Sequence, residues 1–136
     1  MPAEYRTVEG ELGAVNVLTN LTTFASEAGA GPVKVPSNAK GLKQIWCAVG
    51  PHVDTAGDNC AVVCRLSGKG MSSGQQDFAL AGAGGGVTNT GTILDHSKEH
   101  DIDVAVTPNE DITVQCAAVG DDVLIATVAI TLVFAT

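Results

Sequence analysis

The sequence predicts an all-β chain, a two-sheet antiparallel sandwich of jelly-roll-like form with eight or nine strands. Three observations carry that expectation. Apolar residues make up 45% of the 136, with three Phe, one Trp and one Tyr as the only aromatics; the rest of the apolar content is Val, Ala, Leu and Ile. Val and Ile are stiff at χ1 and suit a pleated surface. Sixteen Gly, with frequent Thr, Asn and Asp, supply turns. Apolar residues recur mainly at a spacing of two, and no tract repeats at 3.6. The length fits one domain with enough material for a two-layer core.

Residues 1–12 are polar and read as an N-terminal arm, with Gly10 and Gly13 bracketing its end and residues 13–136 forming the single sandwich domain. The run from Ala14 to Ala25 reads as a strand with no cleanly polar face. Leu18 and Phe24 therefore become candidate contacts with a neighbour. Val33 and Val35 make a short extended piece ended by Pro36. In the strand Leu42 to Val49, alternation places Ile45, Cys47 and Val49 on one face and Leu42, Gln44, Trp46 and Ala48 on the other. Cys60, Val62, Cys64 and Leu66 form the buried face of the next strand. SGKGMSSGQQ is a long turn, and Phe78 and Leu80 mark a short strand after it. Residues 81–92, AGAGGGVTNTGT, form a loop, since a glycine run raises the entropy cost of ordering.

Ile102, Val104 and Val106 alternate with Asp101, Asp103 and Ala105, a half-buried strand with an acidic outer side. Ile112, Val114 and Cys116 follow with the same period. The last strand is the clearest: Leu124, Ala126, Val128, Ile130, Leu132 and Phe134 share one face. The other face, from Val123 to Val133, is semi-apolar, as expected of a central strand or one that meets another subunit. Val133 joins the candidate contacts on that ground.

The residues that could carry chemistry are few. Asp95 to Asp103 gathers Asp, Glu and two His, a group able to hold a metal at the surface. Its H-x-x-x-H spacing is not the zinc-protease H-E-x-x-H, and a solvated loop entering a strand explains it as well. His52, His96 and His100 fall in expected loops and the cysteines in strand interiors, so no Ser or Cys meets a base, and no G-x-S-x-G elbow occurs. The glycine run lacks the Lys-Ser/Thr of a P-loop. Trp46 reads as a core or interface anchor, with sugar stacking as the other reading. Catalytic, cofactor-binding and metal residues are accordingly assigned as none.

Cys47, Cys60, Cys64 and Cys116 form no C-x-x-C pair. They read as buried thiols acting as small hydrophobes, and any disulfide would have to cross between strands, because Cys60 and Cys64 stand roughly 13 Å apart along one strand. A formal charge of −8 repels nucleic-acid phosphate, although Lys34, Lys40 and Lys43 fall close together. No basic segment precedes an apolar run at the start, so no signal peptide is read. The apolar stretch Val123 to Phe134 is short of the about 20 residues of a membrane helix.

On the segments VKVPSNAKGLKQIWCAVG, CRLSGKGMSSGQQDFALAG and VTPNEDITVQCAAVGDDVLIATVAITLVF, the chain resembles the single β-sandwich domains of virus and phage structural proteins, capsid or capsid-decorating. In that class a short extended piece and turn lead into a core strand, and a long final strand closes the domain. The resemblance implies a non-enzymatic protein that assembles with copies of itself or with other virion proteins. It further implies no cofactor and no small-molecule substrate, and a place in the virion after assembly in the host cytoplasm. The chain departs from the pattern in lacking a basic internal arm, which favours protein contacts over genome contacts. The alternative is a carbohydrate- or ligand-binding β-sandwich module.

Overall fold

The computed structural model describes residues 2–11, 19–20, 22–23, 32–49, 52–53, 60–79, 98–120, 124–125 and 127–136. The strands among them are β1 (Ala3–Glu11), β2 (Thr19–Asn20), β3 (Thr22–Thr23), β4 (Val33–Lys34), β5 (Gly41–Val49), β6 (His52–Val53), β7 (Cys60–Ser67), β8 (Gln75–Ala79), β9 (Lys98–Val104), β10 (Asp111–Gly120), β11 (Leu124–Ile125) and β12 (Thr127–Ala135). One sheet runs β3-β1-β12-β5-β9. The other runs β2-β10-β7-β8, with β4 also on β10, and β11 pairs with β6.

The pairing is nested. First pairs with last (β1–β12), the second position with the second-last (β2 and β4 on β10), the third with the sixth (β5–β9), and the two middle strands with each other (β7–β8), all antiparallel. A ribbon folded back at β7–β8 and rolled gives this order, which is the jelly-roll form of the two-sheet sandwich. The fold class expected from the sequence is the one observed.

Alternation builds the core. Val128, Ile130, Leu132 and Phe134 of β12 face Ile112, Val114 and Cys116 of β10 and Cys64 and Leu66 of β7 across the interior. Val8, Val33, Val35, Leu42, Ile45, Cys47, Met71 and Val104 complete it. Each large side chain buried in this way contributes about 1.5–3 kcal/mol relative to exposure. The core-facing residues of β12 are those its sequence pattern assigns, and β12 lies at the centre of its sheet.

Two expectations are corrected. Residues 3–11 are not an arm: β1 pairs with β12 over nine positions, from Ala3 opposite Ala135 to Glu11 opposite Thr127. Val8 is fully buried while Glu4 and Arg6, which share its face, stay half-buried and pair with each other at 2.7 Å. The apolar alternation that announces a strand is therefore missing, and the ladder to β12 supplies the order. Charge pointing inward at a sheet margin is also a common guard against edge pairing. The second correction concerns β5, where Leu42 and Ile45 are both fully buried despite odd spacing. Leu42 pairs with Phe134 and Gln44 with Val133, so Lys43 is the extra residue of a bulge. The bulge turns Leu42 to the same side as Ile45.

The turns 35–40, 68–74 and 105–110 are tied together at one end of the sandwich. Val35 N donates to Glu110 O (2.9 Å), Gly70 N to Asp111 O (2.8 Å), and Thr107 N to Gly70 O (2.9 Å). The long turn expected at SGKGMSSGQQ is closed by Gly68 N donating to Gly74 O (3.1 Å), with Met71 buried beneath it. A Cβ at Gly70 would lie 2.6 Å from Ile112 Cγ1, so only glycine fits that close approach.

Candidate functional site

The sheet containing β1, β12, β5 and β9 turns a second face away from the core, and register fixes its rows. Ala3, Ala135 and Gly41 make one row; Tyr5, Val133, Gln44 and Asp101 the next. Thr7, Thr131 and Trp46 follow, then Glu9, Ala129 and Ala48. The middle of this face, on β1, β12 and β5, sets Tyr5, Val133 and Trp46 among Thr7, Thr131 and Gln44.

Tyr5 and Trp46 reach over β12 from its two flanking strands. Their ring centroids stand 5.2 Å apart at 50°, a tilted arrangement within the favoured range for aromatic pairs. Val133, though on the outer face, is only 6% accessible, whereas Tyr5 is 52% accessible and is the exposed large apolar side chain among the described residues. Beside the rings lies an open depression of about 390 Å³, lined by Ala3, Tyr5, Gln44, Asp101, Val133 and Ala135 among others.

A polar chain stiffens one rim. Trp46 Nε1 donates to Gln44 Oε1 (2.9 Å), and Gln44 Nε2 donates to Asp101 Oδ1 (2.8 Å). Lys43, displaced by the bulge, reaches Asp103 Oδ1 at 2.6 Å. On the β1 side the Thr7 and Thr131 hydroxyls are 2.9 Å apart. The indole and amide are thus held in one orientation by bonds that cross from β5 to β9.

The outer face of the opposite sheet has a different character. Ser67, Thr113, Gln115, Arg65 and Asp77 occupy one part of it, where Arg65 grips Asp77 through Nε and Nη2 at 2.8 and 3.0 Å, and Val63 and the buried Ala117 continue the same face along the strands. The guanidinium bond holds the Asp77 carboxyl below its ordinary range and raises Arg65 in turn. The part around the ion pair is comfortable in water.

Of the sequence-derived contact residues, Val133 lies on the aromatic face, while Leu18 and Phe24 lie outside the described residues. Trp46 is half-buried on that same face, as an anchor for Tyr5. Of the Asp95 to Asp103 group, 95–97 lie outside the described residues. His100 sits opposite Ile45 and so on the core side, while Asp101 and Asp103 are taken by Gln44 and Lys43. Among the described residues no three His, Cys, Asp or Glu are placed to hold a metal. Lys34 points toward Asn109 O at 3.5 Å, Lys43 is paired with Asp103, and Lys40 is exposed.

Sequence reasoning missed Tyr5, Gln44 and the groove. Tyr5 lies in a segment whose polarity reads as an arm, although Ala3, Tyr5 and Thr7 do alternate with Glu4 and Arg6. Cys47, Cys64 and Cys116 are buried free thiols, with Cys64 and Cys116 facing each other across β7–β10 and Cys47 on the other sheet, while the side chain of Cys60 lies outside the described residues. No helix among the described residues is long and apolar enough to cross a membrane.

Compared with family models, with curated proteins and with solved structures, the chain finds no match in any of the three.

Proposed function

We propose that the chain is a non-enzymatic structural protein that assembles with copies of itself, as a capsid or other virion component. The observation that carries this reading is the asymmetry between its two outer faces. One carries the Arg65–Asp77 pair among Ser67, Thr113 and Gln115, with Val63 and Ala117 beside them and no aromatic side chain among its described residues. The other centres on Tyr5, Trp46, Val133 and Ala48. Tyr and Trp are enriched among the anchors that dominate protein interfaces, and a rigid aromatic pair on central strands loses little entropy on contact. A closed assembly would cover this face and leave the one with the Arg65–Asp77 pair in water. The charge of −8 supports protein partners in preference to nucleic acid.

The groove beside Tyr5 favours a second reading, a carbohydrate- or ligand-binding module, because jelly-roll sandwiches also serve as lectins. Substitution separates the two. Ala48 is exposed, lies on the outer face and does not line the groove. In sedimentation equilibrium, Ala48→Lys is expected to shift the protein toward monomer without lowering its melting temperature. An unchanged oligomer mass in both Ala48→Lys and Tyr5→Glu would exclude this face as the contact.

A further inference from the structure

We propose that Cys64 and Cys116 form a cross-strand disulfide when the chain folds in the presence of a disulfide oxidant. The register sets the two residues directly opposite each other in β7 and β10. Opposed residues of an antiparallel pair have Cα atoms about 4.5–5.5 Å apart, inside the roughly 4.4–6.8 Å span of a disulfide. Both side chains project into the core, both are fully buried, and their thiols are hydrogen-bonded to one another. Side-chain rotation over a short distance would bring the sulfurs into bonding range.

The other cysteines have no such neighbour on the ladder. Cys47 stands opposite Ile130 on one side and Lys98 on the other. Cys60 stands opposite Gly120, which has no side chain. Four cysteines leave several pairings open in principle, and register selects one.

Burial decides when the bond forms. The attacking species in exchange is the thiolate. In the folded chain the hydrogen bond that the Cys116 thiol makes with Cys64, together with burial, pushes the Cys116 thiol up and keeps it protonated. The folded, reduced protein is therefore resistant, and exchange belongs to the stage before β7 and β10 close over the core. With oxidised glutathione as oxidant, one cysteine thiolate attacks the glutathione disulfide and releases one glutathione thiol. The second cysteine then displaces the other glutathione from the mixed disulfide. Two protein thiols are oxidised by two electrons, one glutathione disulfide becomes two thiols, and the Sγ–Sγ bond is the one gained by the protein.

The test is to refold the whole chain from denaturant with oxidised and reduced glutathione, then alkylate and map the unreduced peptides by mass spectrometry. The expected product joins Cys64 to Cys116 and melts roughly 10 °C above the reduced protein, from the closure of a loop of about fifty residues. The gain should vanish on reduction and be absent in Cys64→Ala and Cys116→Ala, each compared with its own reduced form. Native reduced protein given the same oxidant for the same time should stay alkylatable after unfolding. Recovery of both residues fully alkylated after oxidative refolding, a dominant bond to Cys47 or Cys60, or a cross-linked form melting no higher would overturn the proposal.

Discussion

Among the described residues Phe134 is the largest fully buried side chain, and it sits where the bulge in β5 brings Leu42 across from it. Phe134→Ala should therefore cost about 3–5 kcal/mol in chemical denaturation, since the bulge leaves little freedom for the site to collapse. Two glycines of one turn separate sterics from backbone strain. Gly74 has φ +86 with open space at the Cβ position, whereas Gly70 would press a Cβ against Ile112 and the Asp111 backbone. Gly74→Ala should cost about 1 kcal/mol, the expense of a left-handed alanine. Gly70→Ala should cost clearly more, about 3 kcal/mol, because neighbouring backbone has to move. Urea denaturation of the pair checks the order, and equal losses would contradict the packing described for this turn. Asp77 offers a reading in pH. Its carboxyl is depressed by Arg65, so the ion pair's contribution is present above the ordinary carboxylate range and is lost as pH falls through the lower folded value. A carboxyl-carbon NMR titration should place Asp77 below a typical aspartate, and Arg65→Met should return it toward that value.

At the scale of elements, β12 has partners on both sides along its length, while β8 and β9 have one partner each among the described strands. Hydrogen exchange should find the amides of β12 and β10 slowest, and those of β8 and β9 facing away from their partners among the fastest in strands. Uniform protection across both sheets would argue against the strand order. The legibility of each strand in sequence follows from how it is held. β12 is readable because Val128, Ile130, Leu132 and Phe134 all meet the core at a strict period of two. β5 is readable as a strand but not in its facing, because the one-residue bulge at Lys43 leaves Leu42 and Ile45 looking out of phase. β1 is not readable, since Glu4 and Arg6 occupy inward positions and the order comes from a ladder to a strand more than a hundred residues away. The same non-local pairing conceals the site. Trp46 is visible in the sequence as an anchor, but its partner Tyr5 meets it only after β1 and β5 flank β12.

For the whole molecule, the rolled ribbon has one consequence that bears on assembly. Nesting first strand with last places β1 and β12, the two ends of the described chain, in the sheet that carries the aromatic face. That face is thus built from segments far apart in sequence and exists only in the folded state. Assembly through it would couple folding to association, and destabilising the core should weaken the oligomer along with the monomer. The Lys43–Asp103 pair at its rim is partly exposed, so salt should change association only modestly compared with the loss of Tyr5 or the insertion of a charge at Ala48.

The most direct measurement of the central claim is the native mass of the purified chain by light scattering across a concentration series. Self-assembly through the aromatic face is expected to give a discrete multiple of the 13.8 kDa chain, or a closed shell, that dissociates on dilution and in Ala48→Lys. A stable monomer at the highest concentrations would contradict it.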